Sequence, residues 1–161
     1  MRAALAGFVV ALLAGCGFHL RGSAQLPFET IYIPGATPLA VELRRNVTAS
    51  SKTRLADSPK NAQAVLAFTQ EAREKVILSF TSAGKVNEYR LRYRVGIRVT
   101  DTGGSQVFLP ASEILLTRDM TFNDQQVIAK ENEEALLYRD MQTDMVQQIM
   151  RRLAAARPQV E

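Results

Sequence analysis

The sequence holds a single cysteine, Cys16, whose thiol is the most distinctive reactive group in the chain. One basic residue, Arg2, and an apolar run, Ala3–Ala14, precede it. A basic start, a short apolar segment and small residues are the parts of a secretory signal. A helix that spans a bilayer needs about 20 apolar residues, and this apolar run is shorter. A lone thiol in an oxidising compartment is a liability unless it is consumed. We therefore expect Cys16 to be modified after export.

The four residues Leu13-Ala14-Gly15-Cys16 resemble the lipobox of bacterial lipoproteins. The resemblance implies cleavage before Cys16, a diacylglycerol on its sulfur and a palmitoyl group on its new amino terminus. The alternative is an ordinary secretory signal that happens to end at a cysteine. Because Gly17 is not an aspartate, the resemblance also implies sorting to the outer membrane, with the protein lipid-anchored on the periplasmic side.

The sequence offers little evidence for a catalytic or metal-binding site. His19 is the only histidine, and without a second ligand nearby we interpret it as a linker residue. A nucleophile without a neighbouring base does not support serine or cysteine hydrolysis, and Gly103-Gly104 is typical of a hairpin turn, not of a phosphate loop. We predict no enzymatic activity, no metal and no cofactor, although carboxylates that meet only in the fold stay an open alternative.

The charge balance is mildly basic, with a formal net charge of +4. Such a balance permits an anionic partner, for example a phosphorylated glycolipid, without requiring one. The export signal and the absence of an aromatic-basic motif argue against nucleic acid as a partner.

The clearest structural pattern lies between Tyr89 and Thr100, where apolar and polar residues alternate. Alternate side chains of a strand point to opposite faces. One face of this strand is therefore apolar, and the other carries four guanidinium groups, those of Arg90, Arg92, Arg94 and Arg98.

Two helices and three further strands complete the predicted elements. Thr37-Pro38 is typical of a helix start, and a second helix of about 30 residues is expected after a cap at Asn123 or Asp124, with an apolar stripe every four residues. The strands are predicted at Thr30–Ile33, Ala64–Thr81 and Gln106–Phe122. In the strand over residues 64–81, five apolar residues are expected on one face: Leu66, Phe68, Val76, Leu78 and Phe80.

The order of these elements predicts an α+β fold. We expect a two-layer sandwich in which two helices pack on one face of a four-stranded, mostly antiparallel sheet, and the arginines line the uncovered face. The predicted organisation is a signal peptide at 1–15, an acylated N-terminus and linker at 16–28, one domain at 29–157 and a short tail at 158–161.

Three segments together resemble the lipopolysaccharide-assembly lipoprotein family LptE. These are Cys16-Gly17-Phe18-His19-Leu20-Arg21, the stretch from Gly84 through Glu88-Tyr89, and Val127-Ile128-Ala129-Lys130-Glu131-Asn132-Glu133. The resemblance covers nearly all of the mature chain and implies the same fold of two helices on a four-stranded sheet.

Members of this family are outer-membrane lipoproteins that plug the lumen of the large barrel LptD and help to deliver lipopolysaccharide to the outer leaflet. The resemblance therefore implies LptD, lipopolysaccharide and the outer membrane as partners. Since a barrel lumen is polar, we expect the four arginines to contact the barrel wall. The alternative is that they form a solvated sheet face.

The resemblance also implies a lipopolysaccharide-binding lysine at Lys130. A second basic residue of some family members lies in the turn that here contains Lys85, although Lys85 does not occupy the same position. Either lysine could bind a phosphate, and the alternative for each is a solvated side chain.

Two functions remain open on the sequence. The first is a non-catalytic plug and assembly partner of the barrel, and the second is a free-standing periplasmic lipoprotein that shuttles a lipid. A shuttle needs a closed apolar cavity, whereas the predicted core residues match one another in size and favour the plug.

Overall fold

The computed structural model describes residues 25–158. Cys16, the predicted signal peptide, most of the predicted linker and the last three residues lie outside the described residues.

The described chain folds into five strands and two α-helices. In chain order the elements are β1 (Thr30–Tyr32), α1 (Pro38–Ser50), β2 (Arg54–Leu55), β3 (Ala64–Phe80), β4 (Val86–Thr100), β5 (Val107–Thr121) and α2 (Val127–Ala155). Two short 3₁₀ turns, Pro59–Asn61 and Asp124–Gln126, precede β3 and α2 respectively.

The sheet is mixed, with strand order β2-β1-β3-β4-β5. The first strand is parallel to both β2 and β3, and the β3–β4 and β4–β5 pairs are antiparallel. The α+β architecture with two helices is confirmed, but the predicted four-stranded sheet is corrected to a mixed sheet of five strands. The sequence did not predict β2 because a strand of two residues is too short to show alternation.

Both helices begin with local capping interactions. The Thr37 side chain accepts a hydrogen bond from the amide of Ala40, which places Pro38 in the first turn of α1. Before α2, the Asn123 side chain accepts from the amide of Gln125 and caps the 3₁₀ turn, so the α-helix proper begins at Val127. The helix is 29 residues long, close to the predicted length.

One hydrophobic core lies between the helices and one face of the sheet, here called the helix side. The apolar face of β4 is fully buried there, from Leu91 to Val99. Residues spaced by four along both helices cover it: Leu39, Leu43 and Val47 from α1, and Met141, Met145, Ile149 and Leu153 from α2. The opposite face, defined by Arg90, Arg92, Arg94 and Arg98, is here called the open face.

A bulge in β3 changes which residues face the core. The register with β4 jumps between Phe68 and Gln70, leaving Thr69 as the extra residue. After the jump, Arg73 lies opposite the buried Tyr93 on the helix side, and Val76 lies opposite Arg90 on the open face. The prediction that Val76 shares a face with Leu66 and Phe68 is therefore wrong, because one inserted residue reverses the alternation.

The bulge also explains the glycine in the centre of β4. A Cβ atom at Gly96 would collide with the hydroxyl of Thr69, well inside contact distance. Gly96 therefore leaves room for the Thr69 side chain where β3 bulges beside β4.

The long strands give the molecule two distinct ends. The base contains the start of β3, the 3₁₀ turn Pro59–Asn61 and the Asp101–Gln106 turn, where the Thr102 hydroxyl donates to the carbonyl of Ala62. The tip contains the Thr81–Lys85 turn and the start of α2. The 17 residues of β3 separate base and tip by about 50 Å. No helix in residues 25–158 combines the length and the apolar character needed to cross a membrane.

Candidate binding surfaces

The four arginines predicted to contact a partner all lie on the open face, but three of them are already paired within the chain. Arg90 forms a two-pronged ion pair with Asp119 on β5, with N–O distances of 2.7 and 2.8 Å. The hydrogen bonds from this guanidinium hold the pKa of Asp119 below its usual value, and the same bonds raise the pKa of Arg90.

Neighbouring strands supply carboxylates to the next two arginines. Arg94 Nη1 lies 3.1 Å from the carboxylate of Glu113 on β5, and Arg92 Nη1 lies 3.9 Å from that of Glu74 on β3. The open face is therefore a mixed, largely self-neutralised surface, not the bare cationic face that the sequence predicted.

Arg98 is the exception on this face. It is exposed, and no carboxylate of residues 25–158 lies within ion-pair distance of it. The register between β4 and β5 jumps at this level, between Ser112 and Leu109, where Pro110 cannot donate to the ladder. The irregularity leaves no acidic residue directly opposite Arg98.

The two lysines proposed to bind lipopolysaccharide both lie at the tip, and both are paired. Lys130 Nζ donates to the Thr121 hydroxyl (3.0 Å) and to the Glu133 carboxylate (2.8 Å), and its side chain is only 14% exposed. Lys85 Nζ lies 2.9 Å from the carboxylate of Asp124, with 68% of its side chain exposed. Lys130 fixes the first turn of α2 to the end of β5, whereas Lys85 is accessible.

Exposed apolar side chains at the tip were missed by the sequence analysis. Seven large apolar residues of the described chain are exposed, and five of them lie towards or at the tip: Ile77, Leu78, Phe80, Val127 and Ile128. Phe80 and Leu78 were predicted to face the core with Leu66. The register with β4 skips Leu78, and Phe80 pairs with Val86, which has the same parity along β4 as the arginines of the open face, so neither side chain enters the core.

A groove of about 750 Å³ accompanies these side chains at the start of α2. It is lined by Asp124 to Ala129 and by Asn132. Ile128, in its wall, is 77% exposed. The tip thus combines exposed apolar side chains with one accessible ammonium group, that of Lys85, which is paired with Asp124. Contiguous exposed apolar side chains are typical of a contact surface.

Polar contacts on the helix side hold the long β3 strand against α2. The Tyr93 hydroxyl donates to Glu71 (2.8 Å), the Arg73 guanidinium stacks 4.7 Å from the Tyr93 ring, and burial raises the pKa of Tyr93. From α2, the Tyr138 hydroxyl donates to the Glu74 carbonyl (2.7 Å), and burial likewise raises the pKa of Tyr138. These groups pair with one another, and no cluster of possible metal ligands occurs among residues 25–158.

Comparison with known proteins gives consistent matches. The family model described as "LptE: Lipopolysaccharide-assembly" matches residues 28–153. The LPS-assembly lipoprotein LptE of Photorhabdus laumondii is 29% identical over 92% of this chain and 82% of its own length, and that of Pectobacterium atrosepticum is 27% identical over 91% and 81%.

Solved structures share the fold. The solution structure of lipoprotein B from Nitrosomonas europaea, described as uncharacterized, has 37% identity and a TM-score of 0.75, covering 86% of this chain and 91% of that one. The crystal structure of rare lipoprotein B from Shewanella oneidensis has 23% identity and a TM-score of 0.64 over 81% and 94% of the two chains, a similarity of fold.

Proposed function

The chain belongs to the LptE lipopolysaccharide-assembly family, and from this membership we propose that it is a non-catalytic outer-membrane lipoprotein that plugs the LptD barrel. In this role it is acylated at Cys16, remains on the periplasmic side through that anchor and takes part in delivering lipopolysaccharide to the outer leaflet.

The observation that carries the proposal is the self-paired open face. A barrel lumen is polar, so the surface of a plug needs hydrogen-bonding groups. Charged groups that are already paired within the plug do not each require an opposite charge from the barrel wall. The pairs Arg90–Asp119 and Arg94–Glu113 satisfy their own charges while keeping donors and acceptors at the surface. Arg98, without such a pair, is the side chain on this face that gains most from a carboxylate of the barrel wall.

The length of the molecule supports the same role. A bilayer with its headgroups is about 40–45 Å thick, and β3 alone spans about 50 Å. With the base held near the periplasmic surface by the anchor, a plug of this length extends to the level of the outer leaflet.

The tip then supplies groups for the lipid. Lys85, which is exposed, is the more available partner for a phosphate of lipid A, and Phe80 and Ile128 are available to its acyl chains. In this proposal Lys130 acts mainly by holding the start of α2 beside them.

A shuttle would need an enclosed apolar cavity. The clefts at Gln25–Glu29, at Asp124–Ala129 and beside α1 are open to solvent. The core between sheet and helices is packed by the buried side chains already named. We therefore do not favour the shuttle.

Detergent extraction followed by size-exclusion chromatography tests the plug. The mature protein from envelopes that also contain LptD is expected to elute with the barrel, and Arg98→Glu is expected to reduce its recovery severalfold. Arg139→Glu is the matched control, since Arg139 on α2 is also exposed and has no ion pair within residues 25–158. Elution of the wild-type protein alone would contradict the plug, and equal losses for both variants would remove the role of Arg98.

A further inference from the structure

Ion pairs are distributed unevenly between the two ends of the molecule. The seven ion pairs within residues 25–158 all lie along the long strands, α2 and the tip. At the base, Lys52, Arg54 and Lys60 are exposed, and none has a carboxylate of the described chain within ion-pair distance. These cations carry a positive charge that the fold itself does not neutralise.

Two of these cations line a cleft of about 630 Å³, here called the base cleft. One wall is the segment Gln25–Glu29, and the other contains Lys52, Thr53 and Arg54, with Gln63 beside them. The base cleft differs from the tip groove in offering guanidinium and ammonium groups that are free of internal partners.

The walls of the base cleft are fixed by hydrogen bonds. The buried Thr53 hydroxyl donates to the Phe28 carbonyl (2.8 Å), and the Arg54 amide donates to the Glu29 carbonyl (2.9 Å). The Glu29 amide donates to the Gln63 side chain (2.7 Å), and the Phe28 ring packs edge-on against Phe108. The backbone is thus held in place while the charged ends of Lys52 and Arg54 remain available.

The base cleft lies where the chain arrives from its N-terminus. Gln25 lines the cleft and is nine positions after Cys16, a stretch that reaches at most about 30 Å. With the sulfur of Cys16 acylated, as proposed above, the cleft cannot lie farther than this from the membrane surface.

We propose that the base cleft binds the phosphate headgroups of the phospholipid surface in which the acyl anchor is inserted. The Arg54 fork donates two hydrogen bonds to phosphate oxygens, and Lys52 adds a point charge. The unpaired Glu29 carboxylate in the same cleft accepts a hydrogen bond from the ammonium group of an ethanolamine headgroup. The interaction orients the base towards the inner leaflet. The proposal depends on the proposed function only in that Cys16 carries the lipid anchor.

Binding to vesicles tests the proposal without the anchor. The mature chain with Cys16→Ala is mixed with vesicles of phosphatidylethanolamine and phosphatidylglycerol at low ionic strength, and the bound fraction is measured by sedimentation. Because one basic residue near an anionic surface changes affinity by about fivefold, Arg54→Gln and Lys52→Gln should each weaken binding by about that factor.

The matched control is Arg139→Gln, which removes the same charge from an exposed arginine on α2, away from the base. It should change binding less than twofold, and salt should abolish wild-type binding. Equal effects of Arg54→Gln and Arg139→Gln, or no effect of either base variant while circular dichroism shows an intact fold, would overturn the proposal. These vesicles hold neither barrel nor lipopolysaccharide, so a negative result here leaves the plug proposal standing, and a failure to elute with LptD leaves the base cleft standing.

Discussion

Arg90 on β4 and Asp119 on β5 lie opposite each other, and their ion pair limits the availability of each group to other partners. The guanidinium binds both carboxylate oxygens, so neither group is free for a partner without losing the other. The pair is solvent-exposed, and such pairs contribute little to stability. Its main effect is to convert a cationic position into a neutral, hydrogen-bonding one.

This pairing predicts a shifted titration of Asp119. Its pKa is held below its usual value by Arg90, so the pair stabilises the fold above the unfolded-state pKa of about 3.9 and loses that contribution as pH falls through the lower folded-state pKa. An NMR titration of the Asp119 carboxyl carbon should show a midpoint that rises in Arg90→Gln and stays unchanged in Arg92→Gln. A midpoint that Arg90→Gln does not move would contradict the assignment of the shift to this pair.

At the scale of elements, the bulge at Thr69 determines the surface chemistry of β3. It moves Arg73 and its charged neighbours to the helix side, where they bind α2, and it places Val76 on the open face. In this bulge the Thr69 hydroxyl occupies the space that a Cβ atom at Gly96 would take.

Gly96→Ala should therefore destabilise the fold by about 1–3 kcal/mol, the usual range for overpacking in a well-packed site. Thr69→Gly in the same chain should recover most of this loss, because it removes the atom that the new methyl group meets. Urea unfolding of the four chains of this cycle measures the coupling. If Gly96→Ala costs the same with and without Thr69, the close approach is not the reason for the glycine.

At the scale of the whole molecule, the two ends are chemically different. The base carries unpaired cations beside the incoming N-terminal segment, and the tip carries exposed apolar side chains beside paired lysines. The packed core lies between them, so changes at either end should alter binding more than stability.

Ile128→Asp and Lys85→Asp should each weaken binding of lipid A severalfold while changing the free energy of unfolding by less than about 0.5 kcal/mol. The matched control is Leu136→Asp, since Leu136 lies on the same helix away from the tip and is 54% exposed. Fluorescence titration with lipid A and urea unfolding provide the two measurements. Lipid A affinity that drops as much in Leu136→Asp as in Ile128→Asp would show that the tip has no special role.

Features that depend only on neighbours along the chain could be predicted from the sequence. The alternation in β4, the cap at Thr37 and the four-residue spacing of Met141, Met145 and Ile149 follow from local geometry, and all three are confirmed. The alignment of four arginines on one face also follows from the period of a strand.

The contacts that those residues make follow from the assembled sheet and helices. The carboxylates opposite Arg90 and Arg94, the two-residue β2 and the apolar tip depend on the register between strands that are distant in the chain. That register is set by pairing between strands, and one bulged residue such as Thr69 reverses the facing of the side chains that follow it, up to the next irregularity. Local periodicity therefore predicts which residues share a face of a strand, as far as the first bulge. The packing of strands and helices determines which charged side chains remain free to bind a partner.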